Sequence, residues 1–125
     1  MLWLRLGLIF LVALVPIAEA QAPQCDKSAA ITVTVANTTT IIPAIPGLQI
    51  DVCGFVITGD TNGTRATFNS LSSGGTTTAK TGAMVINAGI PMVSPGDFAF
   101  QVPSGAAVTL TAGTGSITGL IVFRQ

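Results

Sequence analysis

Short runs in which apolar residues alternate with threonine constrain the fold of this chain more than any other feature. In residues 30–36, Ile31, Val33 and Val35 alternate with threonines. A period of two places the apolar side chains on one face of a strand and the threonines on the other. We therefore predict a half-buried β-strand here, and a second one of the same kind in residues 107–113.

Further runs follow along the chain, each bounded by turn-forming residues. Residues 48–70 indicate a hairpin around the turn "GDTNG", and residues 70–82 indicate a flexible polar loop. Four other strands are predicted: 39–45, an edge strand interrupted by Pro43; 83–94, broken by Gly89 and Pro91; 97–102, with Phe98, Phe100 and Val102 inward; and 116–124, apolar on both faces and therefore central. In the strand at 107–113, Val108 and Leu110 are inward.

About eight short strands with regular turn signals are typical of two packed antiparallel sheets. We therefore predict an all-β fold, an antiparallel β-sandwich or jelly roll that follows an N-terminal signal peptide. The predicted domains are a signal peptide (1–20), an N-terminal segment held by a disulfide (21–30) and the β-sandwich (31–125).

Residues 1–20 have the features of a secretory signal peptide. Arg5 precedes an apolar run, and Ala18 and Ala20 occupy the positions that a signal peptidase reads. A retained membrane anchor is the alternative, but the apolar run over residues 6–18 is shorter than the ~20 residues of a spanning helix. We expect cleavage after Ala20 and a secreted or periplasmic protein that has no membrane contact afterwards.

The stretch "GLQIDVCGFVITGD" (residues 47–60) places a cysteine on the outer face of a strand. Leu48, Ile50 and Val52 alternate with Gln49, Asp51 and Cys53, and Gly54 then marks either a β-bulge or a change to burial on both faces. An exported chain with two cysteines most simply pairs them. We therefore predict a Cys25–Cys53 disulfide, with an intermolecular bridge or a free thiol as the alternatives.

Charge and residue type exclude several classes of function. The chain has five basic and five acidic residues without a run of either sign, which argues against binding nucleic acid or anionic lipid. It lacks histidine and tyrosine, so a serine nucleophile has only a lysine as base, for which Ser72 or Ser73 with Lys80 is the nearest pair. Asp60 and Asp97 suit a turn and a strand start better than paired catalysis. We predict no enzyme, catalytic residue, cofactor or metal site.

Three binding features have simple structural explanations. A glycan-binding platform would need exposed aromatic rings, but Trp3 lies in the leader, and the phenylalanines that follow the leader fall mostly at apolar positions suited to a core. Asp60 and Asn62 could supply oxygens to calcium, although a plain turn explains them. The abundant threonines could bind ice or pair with another sheet, although their high β-propensity explains them. Asn37 and Asn62 also begin sequences that match glycosylation acceptors.

From about Thr40 onward the chain resembles small β-sandwich proteins encoded among phage and prophage structural genes. The resemblance rests on "IIPAIPGLQIDVCGFVI", "ATFNS", "TGAMVINAGIPM", "FAFQV" and "GAAVTLTAGTGSITGLIVF". It implies a packing or decoration module without catalytic residues, often oligomeric, with a trimer favoured. The leader and the cysteine pair depart from that pattern, because such particles assemble in a reducing cytoplasm.

The sequence therefore predicts an exported, non-catalytic structural or interaction module that self-associates at the cell envelope or outside it. The edge strand at 39–45 lacks a lysine that would discourage pairing, and the last strand could also contribute to a subunit contact. The alternatives are a glycan-binding module and a phage-derived virion decoration protein.

Overall fold

The computed structural model describes residues 25–94 and 99–125. The predicted signal peptide with Ala18 and Ala20, and also Asp97 and Phe98, lie outside the described residues. The described part contains ten β-strands and no helix: β1 (Lys27–Val33), β2 (Thr38–Ile42), β3 (Ile50–Gly59), β4 (Thr64–Leu71), β5 (Thr77–Ala79), β6 (Met84–Ile86), β7 (Met92–Val93), β8 (Phe100–Val102), β9 (Ala107–Ala112) and β10 (Ile117–Arg124).

The strands form two antiparallel sheets that pack face to face. Sheet A has the order β1-β10-β3, with β7 and β8 both pairing the free side of β3. Sheet B has the order β2-β9-β4, with β5 and β6 both pairing the free side of β4. In the described part of the chain each sheet therefore has four strand positions, which the ten strands fill. The sequence predicts about eight strands, because it does not predict β5 and takes β6 and β7 as one strand at 83–94.

The order of the eight positions defines a jelly roll. The first position pairs the eighth (β1 with β10), and the second pairs the seventh (β2 with β9). The third pairs the sixth (β3 with β7 and β8), and the fourth pairs the fifth (β4 with β5 and β6). This nested pairing alternates the chain between the two sheets and is the jelly-roll arrangement. The predicted fold class is confirmed.

The core lies between the two sheets and is built from inward side chains of both. Phe68 of sheet B packs between Phe55 and Phe100 of sheet A, with ring centroids 4.7 and 5.4 Å apart. Tilted aromatic pairs of this kind contribute about 0.5–1.5 kcal/mol each beyond their buried area. The other fully buried large side chains are Ile31, Val33, Ile42, Ile50, Val52, Ile57, Ile86, Val102, Leu110, Ile117 and Ile121.

The predicted hairpin at residues 48–70 is wrong. The turn at residues 60–63 carries the chain from β3 in sheet A to β4 in sheet B, so the two strands face each other across the core. Asp60, Asn62 and Gly63 form a tight turn, with Gly63 at φ +76°. The same turn residues serve a hairpin or a crossover between sheets, so they do not distinguish the two.

Three further boundaries differ from the predictions. Part of the predicted loop at 70–82 forms β5, which pairs β4 through a turn in which Ser72 N–H donates to Thr76 O at 2.9 Å. Leu48 lies in a turn before β3 and is 42% exposed rather than inward. Val35 lies beyond the end of β1 and is 52% exposed.

Two of the predicted strand roles are confirmed. The run 83–94 is broken at Gly89 and Pro91, because the chain there leaves β6 in sheet B and enters β7 in sheet A. The last strand, β10, lies centrally between β1 and β3. However, β10 is buried on one face only, since Leu120 is 46% exposed.

Candidate functional site

The outer face of sheet A carries a row of apolar side chains that crosses all four strand positions. Ala30 of β1 lies opposite Leu120 of β10, Leu120 opposite Val56 of β3, and Val56 opposite Val93 of β7. Leu120, Val56 and Val93 are 46%, 41% and 63% exposed. We call these four residues the apolar stripe.

Uncharged residues flank the apolar stripe on both sides. On one side lies a row of threonines, Thr32, Thr118 and Thr58, in which the Thr58 and Thr118 hydroxyls are 3.2 Å apart. On the other side lie Ser28, Val122 and Gly54. The stripe and its flanking rows thus form an uncharged patch in the middle of a sheet.

A buried carboxylate closes one end of this face. Asp51 is 6% exposed and accepts hydrogen bonds from Gln49 Nε2 and Gln101 Nε2 at 2.9 Å and from Arg124 Nε at 2.6 Å. Burial alone would raise the pKa of Asp51, but the hydrogen bonds from Arg124, Gln101 and Gln49 and the charge of Arg124 outweigh it, so the pKa lies below its usual value of 3.8. The carboxylate is therefore ionised and fully engaged.

A disulfide joins Cys25 to Cys53 on the same outer face. Their Cα atoms are 6.3 Å apart, within the usual range for a disulfide. Cys53 lies at a β-bulge: Val52 pairs Phe123 and Gly54 pairs Val122, which leaves Cys53 as the extra residue. The bond ties the segment before β1 to the central strand β3, as the sequence predicts.

The bulge also explains why the apolar stripe exists. Before the bulge, Ile50 and Val52 face the core; after it, Phe55 and Ile57 face the core, and Val56 is turned outward. The extra residue shifts the alternation by one position. Of the two alternatives left open at Gly54, the structure therefore has the bulge and excludes burial on both faces.

The turn residues considered for calcium are engaged with neighbouring loops. Asp60 Oδ1 accepts hydrogen bonds from Ser116 N–H at 2.8 Å and from Thr61 Oγ1 at 3.0 Å. Asn62 Oδ1 accepts from Ala88 N–H at 2.9 Å. No group of three or more potential metal-binding side chains occurs among residues 25–94 and 99–125. These oxygens hold three loops together at one end of the sandwich.

The serine–lysine pair considered for catalysis is not brought together. Ser72 Oγ accepts a hydrogen bond from Thr76 N–H at 3.0 Å in the β4–β5 turn. Lys80 lies at the other end of β5, where its N–H donates to Phe68 O. At the usual rise per residue, Ser72 and Phe68 are roughly 13 Å apart along β4. Ser73 is an exposed residue of the same turn.

The outer face of sheet B carries threonine and asparagine at its centre, with the exposed Val85 and Arg65 on β6 and β4. Asn69 Nδ2 donates to Thr111 Oγ1 at 3.1 Å and to Thr67 O at 3.2 Å, and the Thr111 and Thr38 hydroxyls are 2.8 Å apart. Asn69 and Thr109 are 6% and 2% exposed. At the centre of this face Thr111 is therefore bonded to its neighbours and Thr109 is buried, whereas Thr40, Thr77 and Thr78 are exposed nearer the edges.

The remaining candidates have ordinary positions. Asn37 and Asn62, the first residues of the two acceptor sequences, are both exposed in connecting loops. The described phenylalanines, Phe55, Phe68, Phe100 and Phe123, are all buried and do not form a glycan platform. Within the described residues, no helix is long and apolar enough to cross a membrane.

The apolar stripe is the feature that sequence reasoning missed. The sequence predicts Val56 in a stretch that is either bulged or buried on both faces. It predicts Leu120 in a last strand that is apolar on both faces and could contribute to a subunit contact, but not the row that joins the two residues. The sequence carries only a weak signal for this stripe. Thr58 lies two positions from Val56, and Thr118 two from Leu120, so the polar threonines indicate that these apolar residues share an outward face.

Comparisons with known proteins add similar structures but no family. The chain is similar to a chain in the structure of infectious bursal disease virus Gx strain (16% identity, TM-score 0.45, covering 79% of this chain and 32% of that one). It is also similar to one in the structure of the Gt strain (17% identity, TM-score 0.44, covering 83% and 35%). The chain spans about a third of the length of either.

No protein-family model and no curated protein matches the sequence. The resemblance to phage structural proteins therefore stays a prediction. The assignment of the fold rests on the strand order described above.

Proposed function

We propose that this chain is an exported, non-catalytic structural module that self-associates at the cell envelope or outside it. The observation that carries the proposal is the apolar stripe, which exposes Val56, Leu120 and Val93 side by side in an uncharged sheet face. Contiguous exposed apolar residues rimmed by polar ones are typical of protein interaction surfaces.

The polar groups of the described residues support a structural role. The carboxylates of Asp51 and Asp60 accept hydrogen bonds from neighbouring strands and loops, and Ser72 Oγ accepts one within its own turn. A general base or nucleophile needs a side-chain atom that is available to a substrate. These atoms are instead used to hold the fold.

Two features support an oxidising location. The Cys25–Cys53 disulfide is of the kind that persists in secreted and periplasmic proteins. Residues 1–20 fit the pattern of a signal peptide that would direct the chain there. The disulfide would then form after export.

Native mass spectrometry of the exported protein, purified without reductant, tests the proposal. We expect a chain that begins at Gln21, a mass two hydrogens below that of the dithiol form, and an oligomer of identical subunits. The same spectrum gives the number of subunits: the resemblance to phage proteins implies a trimer, whereas a contact between two identical sheet faces implies a dimer.

A strictly monomeric protein at every concentration would contradict the self-associating role and would move the assignment toward a stand-alone binding module. A full-length mass with free thiols would contradict export. A glycan array with and without calcium then distinguishes the structural module from the glycan-binding alternative, since a reproducible glycan signal would favour glycan binding.

A further inference from the structure

We propose that the outer face of sheet A packs against the same face of a second copy of this chain. The inference rests on the proposed self-association and names its surface. It predicts a two-fold contact centred on the apolar stripe, rather than pairing through the sheet edges.

The register of the strands supports this surface. Ala30, Leu120, Val56 and Val93 lie opposite one another on four adjacent strand positions, so they form one continuous row. The core of this molecule is formed in the same way, by apolar rows of two sheets packed face to face. A second copy placed over the stripe would bury it in a third layer, about 10 Å from sheet A.

A second copy matches this face better than an unrelated partner in both charge and twist. The stripe and its flanking rows carry no charged side chain, so two copies meet without repulsion and without leaving a charge unpaired. Aligned sheet packing also requires two sheets of similar twist. Two copies of the same sheet meet that condition automatically.

The size of the patch sets the strength of the contact. With strands about 4.8 Å apart and same-face residues about 6.8 Å apart, the four residues of the stripe and the six of its flanking rows cover roughly 330 Å² in projection. Stable complexes bury about 800 Å² per partner. We therefore expect a weak dimer that forms in the micromolar range or above and dissociates on dilution.

The edge strands are the competing surface. Among the described residues β2 (Thr38–Ile42) pairs only β9, and its five residues carry no charge. An uncharged edge can accept a strand from another molecule. The two surfaces are separable because an outward substitution in β2 leaves the apolar stripe unchanged.

Sedimentation velocity of the exported protein, from about 1 μM to several hundred μM, tests the proposal with four proteins. These are the wild type, V56T/L120T, the control V85T, and the edge variant T40K. Val85 is a matched control because it is 53% exposed on the outer face of sheet B. Threonine keeps the strand propensity, and thermal unfolding by circular dichroism checks that each variant is folded.

We expect V56T/L120T to weaken the dimer by roughly tenfold or more, because four exposed apolar side chains are lost per dimer. V85T and T40K should self-associate like the wild type. If V56T/L120T associates normally while T40K does not, the contact is at the edge and the inference is wrong. A trimer insensitive to V56T/L120T would also overturn it while leaving the proposed function intact. A wild type that is monomeric throughout overturns both.

Discussion

The outer faces of the two sheets have the same strand geometry but differ in the side chains at their centres, which are polar on sheet B and apolar on sheet A. On sheet B, Asn69, Thr111 and Thr38 bond to one another, and the residues at the centre of the face are buried. On sheet A, Val56 and Leu120 are exposed in the middle of the face without polar cover. The amide of Asn69 and the hydroxyls of Thr111 and Thr38 find partners within one molecule. Exposed valine and leucine side chains are removed from water only by another apolar surface.

The comparison also shows why β-propensity does not identify the interaction surface. Threonine, valine and isoleucine all favour strands, so both sheets form from similar patterns. The difference lies in the outward residues alone. A single extra residue at the Cys53 bulge decides that Val56 is one of them.

The largest effect on stability is expected from G119A, because the added methyl group would force β10 away from β3 in the middle of sheet A. An added Cβ would collide with the carbonyl oxygen of Val56 and lie 2.9 Å from Ile57 Cα, so β3 and β10 would have to separate. We expect a loss of about 3–5 kcal/mol in the free energy of unfolding, measured by urea titration.

G82A is the matched control for this substitution. An added Cβ at Gly82 meets nothing within 4 Å, and its φ is not positive. Its stability should stay within about 0.5 kcal/mol of the wild type. Equal stability of G119A and G82A would contradict the described β3–β10 register.

Loss of the disulfide, which ties the segment before β1 to β3 in sheet A, should have the next largest effect on stability. The bond closes a loop between residues 28 positions apart, which stabilises the folded chain by about 3–4 kcal/mol in the chain-entropy model. C25S/C53S should lose that amount, as should the wild type under reductant. If reductant leaves the urea midpoint of the wild type unchanged, the bond does not form in the protein.

D51N tests the polar end of the sheet A face. The substitution removes the charge that Arg124 pairs with, and because Arg124 is partly exposed we expect a loss of about 1–2 kcal/mol at pH 7. The pKa of Asp51 is lowered in the folded state, so its contribution is present above the unfolded pKa, near 4, and is lost as the pH falls through the lower folded pKa.

The difference in stability between the wild type and D51N should therefore shrink steadily below about pH 4. Urea titrations between pH 7 and pH 2 measure it. A difference that grows on acidification would show that the carboxylate is not stabilised in its ionised form.

The smallest effects are expected on sheet B, where two neighbouring threonines should respond with opposite signs. Thr109 Oγ1 is buried and has no hydrogen-bond partner in the described structure, so T109V should stabilise the fold by about 0.5–1 kcal/mol. Thr111 Oγ1 lies within hydrogen-bond distance of Thr38 and Asn69, so T111V should destabilise it by about 1 kcal/mol. Thermal unfolding of both variants gives the signs, and two changes of the same sign would contradict the described network.

Local pattern was sufficient for some features of the fold. Val108 and Leu110 are inward as their alternation predicts, and the breaks at Gly89 and Pro91 fall where the chain changes sheets. The pairing of Cys25 with Cys53 followed from there being two cysteines. Each of these conclusions depends only on residues close in sequence, or on a choice with one simple solution.

Features that depend on distant partners could not be predicted in this way. The turn at 60–63 has the same composition whether β4 pairs β3 or crosses to the other sheet. The position of the bulge depends on how β10 meets β3, and so does the outward position of Val56. Thr109 occupies a polar position in its strand and is nevertheless buried.

The most direct test of the central claim is a methyl NMR titration of the protein, purified without reductant, over a range of concentrations. If the outer face of sheet A is the contact between copies, the methyl signals of Val56, Leu120 and Val93 should shift together as the concentration rises, while those of Val85 and the buried Ile57 stay fixed. Shifts confined to Val85 or to Ile41 and Ile42 of the β2 edge, with none at Val56 and Leu120, would contradict the account.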